Sequence, residues 1–76
     1  PFNPTTNLDY SVANDGYMSM VVYDISGQVV DVLVDDYKYA GNYSVQWDAS
    51  NHSSGIYFIN MSMNGKYFTQ KLMLVK

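Results

Sequence analysis

Ile56-Tyr57-Phe58-Ile59-Asn60-Met61-Ser62-Met63-Asn64-Gly65-Lys66-Tyr67-Phe68-Thr69-Gln70-Lys71-Leu72-Met73-Leu74-Val75 is the stretch that decides the fold. Asn64-Gly65 is the strongest short signal for a two-residue type I′ turn between antiparallel strands. Such a turn sets the register, so Met61 opposes Phe68, Ile59 opposes Gln70 and Tyr57 opposes Leu72. These residues share one face, and Gln70 is its only polar member. The other face carries Ile56 opposite Met73, Phe58 opposite Lys71, Asn60 opposite Thr69 and Ser62 opposite Tyr67. One apolar face would suffice to build a core; this hairpin has a second, partly apolar one.

On the N-terminal side of this hairpin period-two alternation recurs, and no segment holds a 3.6-residue period. Thr6, Leu8, Tyr10 and Val12 read as one face of a first strand. Asn14-Asp15-Gly16 is a turn in which Gly16 is free to take positive φ. Met18, Met20 and Val22 point inward along a strand over 17–23, and Asp24 to Gln28 turn about Gly27. Val29 to Val34 is a strand whose continuous apolar character predicts burial on both sides. Asp35 to Gly41 is expected to be a polar, Tyr-bearing connection. Tyr43, Val45 and Trp47 share a face of a strand that stops at Asp48, and residues 48–55 form the longest loop. The expected fold is all-β: an antiparallel immunoglobulin-like β-sandwich of six to seven short strands in one domain, 1–76, with 1–7 as an extended N-terminal segment. Its expected core is Met18, Met20, Val22, Tyr43, Val45, Trp47, Tyr57, Ile59, Met61, Phe68, Leu72 and Leu74.

Composition narrows the function. There is no cysteine to form a disulfide or a thiolate metal site. The net charge is -3, every acid is Asp and every base is Lys. Without Arg the chain lacks the forked donor that reads phosphate and guanine, which argues against nucleic acid. No apolar run approaches the roughly 20 residues of a membrane helix, so no transmembrane segment is expected, and no stretch has a signal-peptide pattern. Opening at Pro1 rather than Met suits a processed product or an excised module. Charged residues are 14% of the chain, against roughly 25% in a typical soluble domain, so something else covers part of its surface.

The punctuation residues fall into five ordered blocks: Pro1-Phe2-Asn3-Pro4-Thr5-Thr6; Val22-Tyr23-Asp24-Ile25-Ser26-Gly27-Gln28-Val29-Val30; Ala40-Gly41-Asn42-Tyr43-Ser44-Val45-Gln46-Trp47-Asp48; Ser54-Gly55-Ile56-Tyr57-Phe58; and Lys71 to Lys76. The series resembles the type A C-terminal sorting domain of type IX (Por) secretion substrates, which is similar to the immunoglobulin-like domain of flagellar hook-capping proteins. It departs from that pattern at Gln28 and its neighbours, where the family often has Arg and Glu. The resemblance implies a non-enzymatic module at the end of a secreted protein of a Gram-negative bacterium. It implies recognition by an outer-membrane translocon, removal by a sortase-like peptidase, and delivery of the cargo to the cell surface or its release. The final strand and Lys71 to Lys76 are the part the family associates with recognition.

Each block also has a structural reading. Pro1, Asn3 and Pro4 keep the leading segment extended. Asp24 and Gly27 shape a turn, Gly41 and Gly55 open strands, Trp47 is the largest core residue and Asp48 closes its strand. Candidate chemistry is sparse. His52 with Ser53 or Ser54 and Asp48 supplies the residue types of a triad, but within one short loop. Asp35-Asp36, and Asp48 with Ser50 and Asn51, are oxygen donors without EF-hand spacing, leaving at most a weak calcium site and no expected cofactor. Asn42, Asn51 and Asn60 each open an Asn-X-Ser sequon.

The apolar excess points to partners instead. Tyr17, Tyr37, Tyr39 and Tyr67, with Ile56, Phe58 and Met73, do not all fit inside so small a sandwich, and Tyr is favoured at interfaces. With Lys71 and Lys76 they form the expected protein-contact surface. Its partners are the secretion translocon and sortase-like peptidase, or other copies of the chain. The second reading is a self-assembling subunit of an extracellular filament whose Pro1–Asn7 arm adds to a neighbour's sheet edge. A third is a carbohydrate-binding module with Tyr17, Trp47 or Tyr67 as sugar platform.

Overall fold

A computed structural model describes residues 4–76. They form six strands: β1 (Thr5–Val12), β2 (Gly16–Asp24), β3 (Val29–Lys38), β4 (Gly41–Asp48), β5 (Gly55–Met63) and β6 (Lys66–Leu74). Every pairing is antiparallel, in a four-stranded sheet of order β3-β2-β5-β6 and a two-stranded sheet of order β1-β4. The sandwich is thus lopsided, with two strands lying over four.

The last hairpin has the expected register, from Gly55 opposite Leu74 to Met63 opposite Lys66. Asn64 and Gly65 both have positive φ, 51° and 77°, as a type I′ turn demands. The first turn differs. Gly16 is buried and is not among the positive-φ glycines. What it supplies is room, because a Cβ there would stand 2.7 Å from Asn64 Oδ1. The two turns at that end of the sandwich therefore touch.

β3 corrects two expectations. It runs on to Lys38, so the polar connection shrinks to Tyr39-Ala40. Its apolar run is not buried on both sides, since Val29 and Val32 are more than half exposed while Val34 is buried. The pairing with β2 slips twice, between Met20 and Val21 and between Val22 and Tyr23, leaving Leu33 and Val30 as bulge residues. Both pack against the core. Bulges, rather than a covering layer, account for consecutive apolar residues here.

The core joins the sheets through Trp47, Val12 and Ala49 on one side and Met18, Met20, Val22, Val34, Tyr57, Ile59 and Leu74 on the other. Leu8, Tyr10, Tyr43, Val45, Met61 and Leu72 pack at its margin. Phe68 is the exception among the expected core residues, at 58% exposed. It lies on the inner side of β6, an edge strand, and a two-stranded opposing sheet is too narrow to reach it. Pro1 and Asn3 fall outside the described residues. Thr5, Thr6 and Asn7 pair with Asp48, Trp47 and Gln46, so that part of the extended segment already belongs to the chain's own sheet. The Pro4 carbonyl accepts the Ala49 amide at 2.8 Å.

Candidate functional site

Two short motifs, each used twice, position the surfaces. The first is Asp-X-Ser. Asp24 Oδ1 accepts the Ser26 amide at 2.9 Å, the Ser26 hydroxyl at 2.7 Å and the Gln28 amide at 3.0 Å, around Gly27 at φ 87°. Asp48 Oδ1 accepts the Ser50 amide at 3.0 Å and the Ser50 hydroxyl at 2.6 Å. The Ser26 hydroxyl, then the Gln28 amide, hold the Asp24 carboxyl below its ordinary value. At Asp48 the Ser50 hydroxyl does so first, then the Ser50 amide and the nearby Lys76 charge. Each bond favours the ionised form.

The second motif is Gly-X-Tyr. Gly41 and Gly55 open β4 and β5 at φ 153° and 154°, a region essentially reserved for glycine. Two residues on, Tyr43 and Tyr57 reach back to donate to the carbonyls of Tyr39 and Ser53, each at 2.6 Å. These corners bring both strands into the sandwich at a set angle, much as a tyrosine corner does in immunoglobulin-like domains. Lys76 fastens the longest loop. Its amide donates to Ser54 Oγ at 3.1 Å and its Nζ to the Ser50 carbonyl at 2.6 Å.

The outward face of the four-stranded sheet collects most of the expected contact residues. Across the strands, Tyr23, Phe58 and Lys71 form one row, and Ile56 and Met73 form the next. Val32, Val21, Asn60 and Thr69 make the middle row, followed by Asp35, Ser19, Ser62 and Tyr67, then Tyr37 and Tyr17. Tyr17, Tyr37, Tyr67 and Met73 are strongly exposed, while Ile56 and Phe58 are half-buried. Tyr39 stands apart at the β3–β4 connection, edge-on to Tyr37 with centroids 5.5 Å apart. Lys76 belongs to the loop clasp rather than to this face.

Other candidates separate or change role. Asp35 and Asp36 are consecutive in a strand and so lie on opposite faces; the Tyr17 hydroxyl donates to Asp35. Among the described residues no three His, Asp or Glu side chains gather into a metal-binding group. His52 packs against Trp47 and Tyr57, with ring centroids 5.8 and 6.1 Å away. Trp47 is fully buried and so is no sugar platform. Its Nε1 donates to Asp31 Oδ2 at 3.1 Å, a bond that sequence reading missed although an Asp inside an apolar run was its signal. Asn42 and Asn51 are exposed, whereas Asn60 is half-buried in a central strand with Oδ1 lacking a hydrogen-bond partner.

A groove also opens between β1 and β6. It measures about 350 Å³ and is lined by Leu8, Asp9, Tyr10, Met61, Phe68 and Gln70 among others. Sequence reading placed Phe68 and Met61 in a closed core; the signal to the contrary was Gln70, the one polar residue of that stripe. Among the described residues no helix is long and apolar enough to cross a membrane.

A search of curated proteins returned no match, and a search of solved structures returned none. A family model does match, that of the secretion system C-terminal sorting domain, and it spans residues 1–76. With that match over the whole chain and six antiparallel strands in two sheets among the described residues, the chain belongs to the family of type IX secretion C-terminal sorting domains, which direct proteins through that secretion system.

Proposed function

We propose that the domain works without catalysis, as a folded tag whose outward four-stranded face is read by the type IX translocon. The cargo is then delivered to the cell surface and the tag removed by a sortase-like peptidase. The observation that carries this reading is the patch of Tyr17, Phe58, Tyr67, Met73 and Lys71 on a face no described element covers. A small domain with 14% charged residues has little reason to leave large aromatics in water unless they meet a partner. Tyr suits that use because it brings rigid area and a hydroxyl at low entropic cost.

Fusion of residues 1–76 to an inert periplasm-targeted cargo in a type IX-secreting host tests it. The fusion reaches the surface. A Tyr67→Asp/Met73→Asp fusion accumulates in the periplasm while its purified domain melts like the parent. Surface delivery of that variant at parental levels sinks the assignment of the face; failure of the parent fusion sinks the sorting role itself.

A further inference from the structure

The groove between β1 and β6 combines an exposed aromatic floor, a free strand edge and flanking lysines. Its floor includes Phe68, an aromatic on the inner side of its sheet that remains 58% exposed. Its rim is the outer edge of β6, nine residues whose pairing with β5 shows no register break and beyond which no described strand lies. The opposite edge of the same sheet, β3, is interrupted by two bulges, a usual way to blunt an edge. Of the edge-protecting devices, β6 keeps only lysine.

That lysine also selects. β5 and β6 contain no carboxylate, and the one acid lining the groove, Asp9, stands across it on β1. Lys66 lies on the groove side of β6 beyond Phe68, and Lys71 on the outward side. Like charge disfavours pairing with the β6 of another copy, while a strand whose carboxylates alternate to the outward side meets opposite charge at Lys71.

We propose that this groove seats an extended acidic segment of a partner protein, which adds to β6 as a fifth strand. Main-chain bonds to the free edge supply affinity. Alternate apolar side chains enter the groove over Phe68 and Leu8, and the intervening carboxylates meet Lys71. This seat shares only Lys71 with the outward face, and its test does not depend on secretion.

The probe is a capped nine-residue peptide of alternating Val and Asp, titrated into the ¹⁵N-labelled 76-residue chain. Controls are the same peptide with Lys for Asp, and one N-methylated at alternate amides. The expected result is saturable shifts at β6 amides and at Leu8. The acidic peptide binds at least about tenfold more tightly than the basic one, and the methylated peptide fails to bind. In a Lys66→Glu/Lys71→Glu chain, both sites being exposed, the preference inverts. Any of four outcomes overturns the proposal: no binding at millimolar peptide, equal affinity for the two charges, undiminished binding after methylation, or shifts confined to the Tyr17 and Tyr37 face. So does sedimentation showing that the chain itself occupies β6 as a dimer.

Discussion

The indole of Trp47 and the ring of Tyr57 meet edge to face, with centroids 5.3 Å apart and planes at 68°. One is on β4 and the other on β5, so this contact binds the two-stranded sheet to the four-stranded one. Both rings are also anchored at their polar ends, Trp47 to Asp31 and Tyr57 to the Ser53 carbonyl. Rings held at both ends are poorly placed to slide, and the sheet-to-sheet geometry follows from them.

Truncating this contact should unfold the domain. Trp47→Ala is expected to cost about 3–5 kcal/mol, comparable with the total stability of about 5 kcal/mol at the low end for folded domains. Far-UV circular dichroism at 37 °C should show no cooperative melt. Tyr57→Phe keeps the ring and removes the corner bond, so about 1 kcal/mol is expected, read as a lowered urea midpoint with unchanged slope.

Phe68 gives the opposite prediction. Were it core, replacement by Ser would be severe; at 58% exposed it should change stability by no more than about 0.5 kcal/mol. Ile59→Ala, one strand in on β5 and buried, should cost about 2–5 kcal/mol. Urea denaturation of the two variants side by side decides whether the groove is open in solution.

The paired strand starts supply a third check. Gly41→Ala and Gly55→Ala each place a Cβ on backbone at φ near 153°, at an expected cost of about 1–3 kcal/mol. At Gly55 nothing lies within 4 Å of that Cβ, so the loss there is conformational rather than steric. Thermal melts of the two variants should both shift downward, and their crystal structures should show no displaced neighbour at residue 55.

Acid sensitivity follows from the Asp-X-Ser turns. Asp24 and Asp48 titrate below the ordinary value of 3.8. A depressed folded pKa means their contribution is fully present above 3.8 and fades as pH falls through the lower, folded value. The melting temperature should therefore drop below about pH 4. Ser50→Ala and Ser26→Ala variants should lose less on acidification, because their carboxyls sit nearer the unfolded value. Carboxyl-carbon NMR titration reads each group directly; unchanged pKa values in the serine variants would contradict the assignment of cause.

Much of this was legible in local chemistry. Asn64-Gly65 admits one turn type, and that turn alone sets which residues of β5 and β6 face each other. Trp47 could be placed inside because its neighbours Tyr43 and Val45 share its parity. β3 was misread because Val29 to Val34 looks the same whether a strand is sandwiched or bulged, and only the slip of pairing against β2 distinguishes the two. Phe68 was misplaced for a related reason: its parity is right, but nothing local tells how wide the opposing sheet is.

Local chemistry settles the all-β class, the register and turn of the final hairpin and the absence of any covalent staple, because these depend on alternation, residue content and backbone preferences within a few residues. Which apolar side chains are covered is settled by the packing of the two sheets. Coverage depends on how many strands lie opposite, and here two face four. That mismatch leaves the inner side of β6 uncovered, turning what reads as a core stripe into a groove beside an open edge.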